Sequence, residues 1–299
     1  MLQKFINQPL AVVCHDAGAA NIIIEWLKTY KGDVRICMMG PSKSIFQNYF
    51  PDYELYSLIN VLDGVEILLS GTGWGETEKI IRSEASKQSI KNIAVIDHWT
   101  NYKERFSFGG REELPDEIIV CDNYAYKMAK NYFPSASIMQ FTNNYLLNQA
   151  NKAIVNRSLK CRNRIQNILI IAEPIRHDDF RNRNKIEFLS IEFFMRNLHK
   201  ISISNKSVNF KIRLHPSESE DKYNFIKEKY QSFENNFEII NSSDRDLYLD
   251  ISWADLVLGM NSFALVVSIT AKVPTICILP PNSINCVLPQ QEIIHLRDL

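Results

Sequence analysis

The chain has 299 residues, enough for two domains of ordinary size. Its composition is that of a globular protein, with 45% hydrophobic and 23% charged residues, and 34 basic side chains balance 34 acidic ones. This balance excludes a global attraction to nucleic acid or to an anionic membrane, so any anion site has to be local.

The six cysteines (Cys14, Cys37, Cys121, Cys161, Cys277, Cys286) form no CxxC pair. Several sit in apolar runs such as IVCD and TICILP, the pattern of reduced, buried thiols in a cytoplasmic protein rather than of disulfides or zinc ligands. No apolar run reaches the roughly 18 residues of a membrane span, and MLQKFINQPL lacks the apolar core of a signal peptide. The expected location is the cytoplasm, with peripheral contact at the inner face of the membrane if the substrate lies there.

In chain order, Leu10 to Cys14 reads as a short strand broken by His15-Asp16-Ala17-Gly18 and followed by a helix from Ala19 to Tyr30. Strand, glycine-containing turn and helix open a Rossmann-like domain. Further strands are expected at Val34 to Met38, Val65 to Ser70, Ile93 to Ile96 and Glu117 to Cys121, with helices at Glu76 to Gln88 and Tyr124 to Tyr132. Continuous Val/Ile/Leu strands alternating with helices predict a parallel sheet covered on both faces. Residues 143 to 166, rich in Asn, Gln and Arg, read as a short helix and an interdomain linker at 151–165. The second half predicts strands at Asn167 to Ala172, Val208 to Leu214, Phe237 to Ile240, Leu256 to Gly259 and Pro274 to Leu279. Helices are expected at Lys185 to Ile201, Asp221 to Tyr230, Asp244 to Trp253 and Ser262 to Thr270, with a short helical tail from Pro289 to Leu299. The expected architecture is α/β: an N-terminal Rossmann-like acceptor domain (1–150) and a C-terminal nucleotide-sugar domain (166–299), facing a cleft.

Two features of the second half point to phosphate. The strand in VNFKIRLHPSE stops at His215-Pro216, because Pro216 lacks an N–H for the ladder and holds His215 extended. This places an imidazole at the carboxyl edge of a strand, where open α/β sheets bind ligands. In LVLGMNSFA a strand ends at Gly259, and Asn261-Ser262 falls where the next helix begins. A residue there caps the helix, and the same geometry aims N–H groups, a hydroxyl and the dipole's positive end at an anion. Arg213, two positions before His215, either adds charge to this site or pairs with a carboxylate.

Arg213-Leu214-His215-Pro216 followed by Asn261-Ser262-Phe263-Ala264 resembles the His-Pro and Ser-containing phosphate motifs of bacterial sialyltransferases and capsule Kdo transferases. The resemblance implies an inverting, metal-independent enzyme of the two-Rossmann (GT-B) type that uses a CMP-activated sugar. It implies that His215 and Ser262 contact the CMP phosphate, and that an acid of an acidic-acidic-Gly motif in the first domain is the general base. His15-Asp16-Ala17-Gly18 is the nearest match and departs from that motif: His15 replaces the first acid, and Ala17 separates Asp16 from Gly18. Asp16 is the expected base, with His15 beside it.

Three more places carry candidate side chains. Gly71-Thr72-Gly73-Trp74-Gly75 follows a strand and opens a helix without GxGxxG spacing, which fits an acceptor pocket with Trp74 as a sugar platform better than a dinucleotide site. Asp97-His98-Trp99 ends another strand and offers hydrogen bonds and an apolar plate to a sugar, or else Trp99 anchors the domain. Glu173 ends the first strand of the second half, with Arg176, His177 and Asp178 behind it, and is a candidate for donor hydroxyls or a second base.

P-loop, HExxH and GxSxG motifs are absent, as is any Cys/His cluster in sequence, so no metal site is expected. The first expectation is an inverting glycosyltransferase of surface polysaccharide synthesis, using a nucleotide sugar and a glycan or glycolipid acceptor, with no cofactor beyond the donor. The alternatives are a sugar-nucleotide 2-epimerase on the same fold, distinguished by a second acid–base set acting at C2, and a non-catalytic subunit that binds sugar nucleotide.

Overall fold

The computed structural model describes residues 2–157, 165–174, 185–201, 207–216, 218–232, 235–242 and 245–299. Arg176, His177, Asp178, Cys161 and residues 158–164 of the expected linker lie outside them, while the start of that linker is not a loop but continues a helix to Asn156. The chain divides into two compact units, Met1–Tyr145 and Leu146–Leu299.

In the first unit, strands β1 (Leu10–Cys14), β2 (Val34–Met38), β3 (Ile67–Ser70) and β4 (Lys91–Val95) alternate with helices α1 (Ala17–Leu27), α2 (Gly40–Tyr49) and α3 (Thr77–Lys87). After the short α4 (Tyr102–Arg105) and a hairpin of β5 (Ser107–Phe108) and β6 (Arg111–Glu112) come β7 (Glu117–Val120), α5 (Asn123–Tyr132) and β8 (Ser137–Gln140). The parallel sheet runs β2-β1-β3-β4-β7-β8. All five residues of β1 are buried, and they alternate between two cores. Leu10, Val12 and Cys14 pack with Ile22, Ile23, Ile24 and Trp26 of α1, whereas Ala11 and Val13 pack with Ile81 and Ala85 of α3. A strand apolar on both faces is stable only between two helical layers, which is why its sequence runs rather than alternates.

The second unit begins with most of α6 (Asn144–Asn156) and continues through β9 (Asn167–Ile171), α7 (Lys185–Arg196), β10 (Val208–Arg213) and α8 (Asn224–Tyr230). It then runs through β11 (Asn235–Ile240), α9 (Leu247–Trp253), β12 (Leu256–Gly259), α10 (Phe263–Thr270), β13 (Thr275–Cys277) and β14 (Ile294–His295). Its sheet, again parallel, has the order β11-β10-β9-β12-β13-β14, the doubly wound pattern in which the first strand lies centrally. The expected helical tail is instead β14, which pairs with β13 and closes the sheet edge, followed by a single 3-10 turn at Leu296–Asp298. Within the described residues, the architecture is α/β with two six-stranded parallel sheets, and no helix is long and apolar enough to cross a membrane.

Candidate functional site

In the first sheet the strand order reverses between β1 and β3, and open α/β sheets bind ligands outside the carboxyl ends at such a point. The turn after β1 supplies His15 and Asp16; the turn after β3 supplies Gly71 to Trp74. Asp16 stands at the N-cap position of α1, yet its side chain makes no cap hydrogen bond. Instead Oδ2 accepts the N–H of Trp74 at 2.8 Å, and Oδ1 lies 2.7 Å from Nδ1 of His15. An ionised carboxylate only accepts, so the proton of a neutral His15 sits on Nδ1 and leaves Nε2 with its lone pair. Buried Glu78 accepts the backbone N–H of His15 at 2.8 Å, locking the turn from below. Burial pushes the Glu78 carboxyl up, against the pull of the His15 N–H.

Close approach here depends on glycine. A Cβ on Gly73 would lie 2.5 Å from Oδ2 of Asp16, and one on Gly18 would lie 1.7 Å from Oδ2 of Asp97. Asp97, after β4, is thus packed against the start of α1. Its other oxygen accepts from Nη1 of the buried Arg105 at 2.8 Å, and the same nitrogen donates to the carbonyl and hydroxyl of Thr72, each at 2.8 Å. Asp97, Thr72, Gly73, Asp16 and His15 therefore share one edge of the first sheet.

The two candidate sugar plates separate. Trp74 is 69% exposed and fits a platform, whereas Trp99 is 5% exposed and its Nε1 donates to Asp122 at 2.8 Å. Trp99 is thereby corrected from a sugar plate to an anchor of the loop, because its flat face is covered. His98 packs at 5.3 Å from it and sits 3.2 Å from the Thr100 hydroxyl.

In the second sheet the reversal lies between β9 and β12. Glu173 follows β9, and its Oε2 accepts the N–H of Asn261, after β12, at 2.8 Å. Burial, with the like charges of Glu187 and Glu218, pushes Glu173 up to about 7 against the pull of that N–H. The Asn261 side chain is turned away to hold the 280s loop, accepting the N–H of Val287 at 2.8 Å. Ser262 caps α10, its hydroxyl accepting from Ala264 at 3.2 Å and keeping its own hydrogen to donate. His215 and Pro216 are exposed beyond β10, where the His215 N–H donates to Oε2 of Glu218 at 2.8 Å. Glu218 also takes Lys222 at 2.7 Å and the Tyr223 hydroxyl at 3.0 Å, which fixes this turn.

Arg213 does not join this set. Its guanidinium is buried on Asp250 and also donates to the Ser242 carbonyl at 3.2 Å. A buried carboxylate needs a paired cation, so Arg213 is corrected from a phosphate donor to half of a structural ion pair.

Glu78, Arg105 and Glu218 are the positioning groups that sequence reading leaves out. Glu78 has one signal, its place in the first turn of the helix after the glycine-rich turn. The hollow lined by Lys91, Asp116, Glu117 and Ser137 lies at the opposite, amino edge of the first sheet and holds none of these groups.

No family model matches the chain, and no curated protein matches it. Solved structures do. MnaA of S. aureus, in a structure with UDP, has a TM-score of 0.59 at 13% identity over 90% of this chain and 79% of its own. A UDP-N-acetylglucosamine 2-epimerase has a TM-score of 0.54 at 12% identity over 93% and 79%. The enzyme of that name from Neisseria meningitidis, bound to UDP-GlcNAc, has a TM-score of 0.51 at 14% identity over 90% and 82%. At this identity the likeness is one of fold, and it extends across both Rossmann-like units.

Proposed function

We propose that the chain is an enzyme acting on a nucleotide-activated sugar, with the second unit holding the nucleotide and His15 and Asp16 of the first doing acid–base chemistry. The observation that carries this reading is the polar set at the β9/β12 reversal: Glu173 on Asn261, with Ser262 opening α10. The positive dipole end of α10, the Ser262 hydroxyl and the imidazole of His215 suit a diphosphate. Glu173, half-buried and near its titration point, is suited to ribose or sugar hydroxyls as acceptor or donor.

Within this class, 2-epimerisation of a UDP-linked N-acetylhexosamine is the favoured reading. Support comes from the fold shared with structures named for UDP, UDP-GlcNAc and the 2-epimerase. Further support comes from two acid–base centres on one sheet edge, the His15–Asp16 pair and Asp97. Inverting C2 needs one group to remove its proton while the C–H electron pair forms C1=C2 and expels UDP from C1. Another must return a proton on the opposite face as UDP adds back. Nε2 of His15, which carries the lone pair, suits removal, and Asp97, paired with Arg105 at 2.8 Å, is the second group on that edge.

The second reading is inverting, metal-independent transfer from a CMP-linked sialic acid- or Kdo-type sugar. It is favoured by His215-Pro216 and Asn261-Ser262 both lying at strand ends of one sheet. There the His15–Asp16 pair would take the acceptor's proton, and His215, Ser262 and the helix end would stabilise the departing phosphate.

Calorimetric titration with UDP-, CMP-, GDP- and CDP-linked sugars tests the class. One nucleotide should bind, and His215→Ala and Ser262→Ala should each weaken it by about 1.5–3 kcal/mol. Binding unchanged in both variants would overturn the assignment.

A further inference from the structure

The last strand pair of the second unit carries side chains that the site above does not use. In the register of β13 with β14, Cys277 lies opposite His295, so both side chains leave the same face of the sheet. Cys286 reaches them from the intervening connection, and the two sulfurs and a ring nitrogen of His295 all lie within 4.8 Å of one another. Both thiols point at a single backbone oxygen, the carbonyl of Met260, at 3.5 Å from Cys277 and 3.4 Å from Cys286. Cys277 is buried, while Cys286 and His295 are half-buried, which leaves the group open to an entering ion.

We propose that Cys277, Cys286 and His295 form a binding site for zinc or a similarly soft divalent ion. Two thiolates and an imidazole are a donor set that zinc takes, and three protein ligands leave a fourth tetrahedral position to water. Zinc–sulfur bonds of about 2.3 Å and zinc–nitrogen bonds of about 2.0 Å place tetrahedral ligands roughly 3.6–3.8 Å apart. Closing the group from its present spread takes about 1 Å of side-chain movement on that geometry. Each thiol gives up its proton, so the ion and two thiolates are neutral together and the partly buried site carries no net charge.

The ion would act on the neighbouring edge through the chain itself. Val287, next to Cys286, donates to the Asn261 side chain, and the Asn261 N–H donates to Glu173. Met260, which both thiols face, directly precedes Asn261. Tying Cys286 to β13 and β14 therefore clamps the connection that holds Asn261 in place.

The test uses the full chain, purified under reducing conditions and stripped of metal with a chelator. Cobalt added as a probe should give the thiolate-to-metal charge-transfer band of a site with two sulfur ligands, saturating at one equivalent and displaced by zinc. Zinc should release protons and raise the melting temperature. Cys286→Ser and His295→Asn, both at half-buried positions, should weaken zinc binding by at least tenfold while keeping the parent far-UV circular dichroism. The proposal is overturned by the absence of a charge-transfer band, by equal metal affinity in parent and variants, or by a Cys277–Cys286 disulfide whose reduction yields no metal binding.

Discussion

The carboxylate of Asp16 accepts the backbone N–H of Trp74 at 2.8 Å, tying the turn after β1 to the turn after β3 where the first sheet reverses its order. The second unit repeats the relation with Glu173 and the N–H of Asn261, also at 2.8 Å, between β9 and β12. In each unit the acid follows the first strand, and its partner follows the strand next to it across the reversal. Sheet order sets this up: only at the reversal do the helices leave on opposite faces and open a crevice for a side chain.

Asp16→Asn should separate catalysis from stability. Since the side chain does not cap α1, the melting temperature should change little, while kcat should fall by about 100-fold or more as His15 loses its partner. Turnover within a few-fold of the parent, with a lowered melting temperature, would return Asp16 to the role of cap and make Asp97 or Glu173 the candidate base.

Gly73→Ala tests the same pair from the other side. The added Cβ would meet Asp16 Oδ2 at 2.5 Å, so the carboxylate must rotate off the Trp74 N–H and His15. Turnover should fall with nucleotide affinity intact, at a stability cost of about 1–3 kcal/mol. A variant with parent kinetics would show that the Asp16 geometry is not needed.

Trp74 and Trp99 should respond oppositely to alanine. Trp99→Ala removes a buried indole and its bond to Asp122, which costs about 3–5 kcal/mol of stability. Trp74→Ala should leave the melting temperature near the parent value and raise KM for the sugar substrate. Equal effects of the two substitutions on KM would contradict the assignment of only Trp74 as platform.

Glu173 predicts a pH dependence of stability. An unfolded glutamate titrates at about 4.3, and in the fold Glu173 is pushed up to about 7. Between these values the folded chain keeps a proton that the unfolded chain releases, so stability falls as pH rises through the window and levels above it. The loss is on the order of 3 kcal/mol for a shift of this size. Glu173→Gln should flatten that part of the curve in urea titrations across the window. Parallel curves for parent and variant would refute it.

Much of the fold is legible in the sequence because buried parallel strands are continuous apolar runs: Val34–Met38 and Leu256–Gly259 begin and end where the residues suggest. Helix α2 is missing from the expected elements: Gly and Pro commonly mark turns, yet the proline in its first turn and the Ser42 capping box are what start it. The site was partly legible. His15, Asp16, Glu173 and Ser262 stand at strand ends that periodicity locates. Which tryptophan is exposed, and whether Arg213 faces a ligand, depend on partners supplied from far along the chain. Asp122 is 23 residues from Trp99, and Asp250 is 37 residues from Arg213. The Cys277–Cys286–His295 group was hidden for the same reason, because β14 forms only by pairing with β13.

The most direct test of the central claim is to incubate the full chain with UDP-N-acetylglucosamine in deuterated water and follow C2 of the sugar by NMR. With the parent protein, deuterium should appear at C2 together with a mixture of the two C2 epimers. With Asp16→Asn neither should appear, although UDP should still bind. Tight UDP-sugar binding with no exchange at C2, or equal exchange by parent and Asp16→Asn, would contradict it.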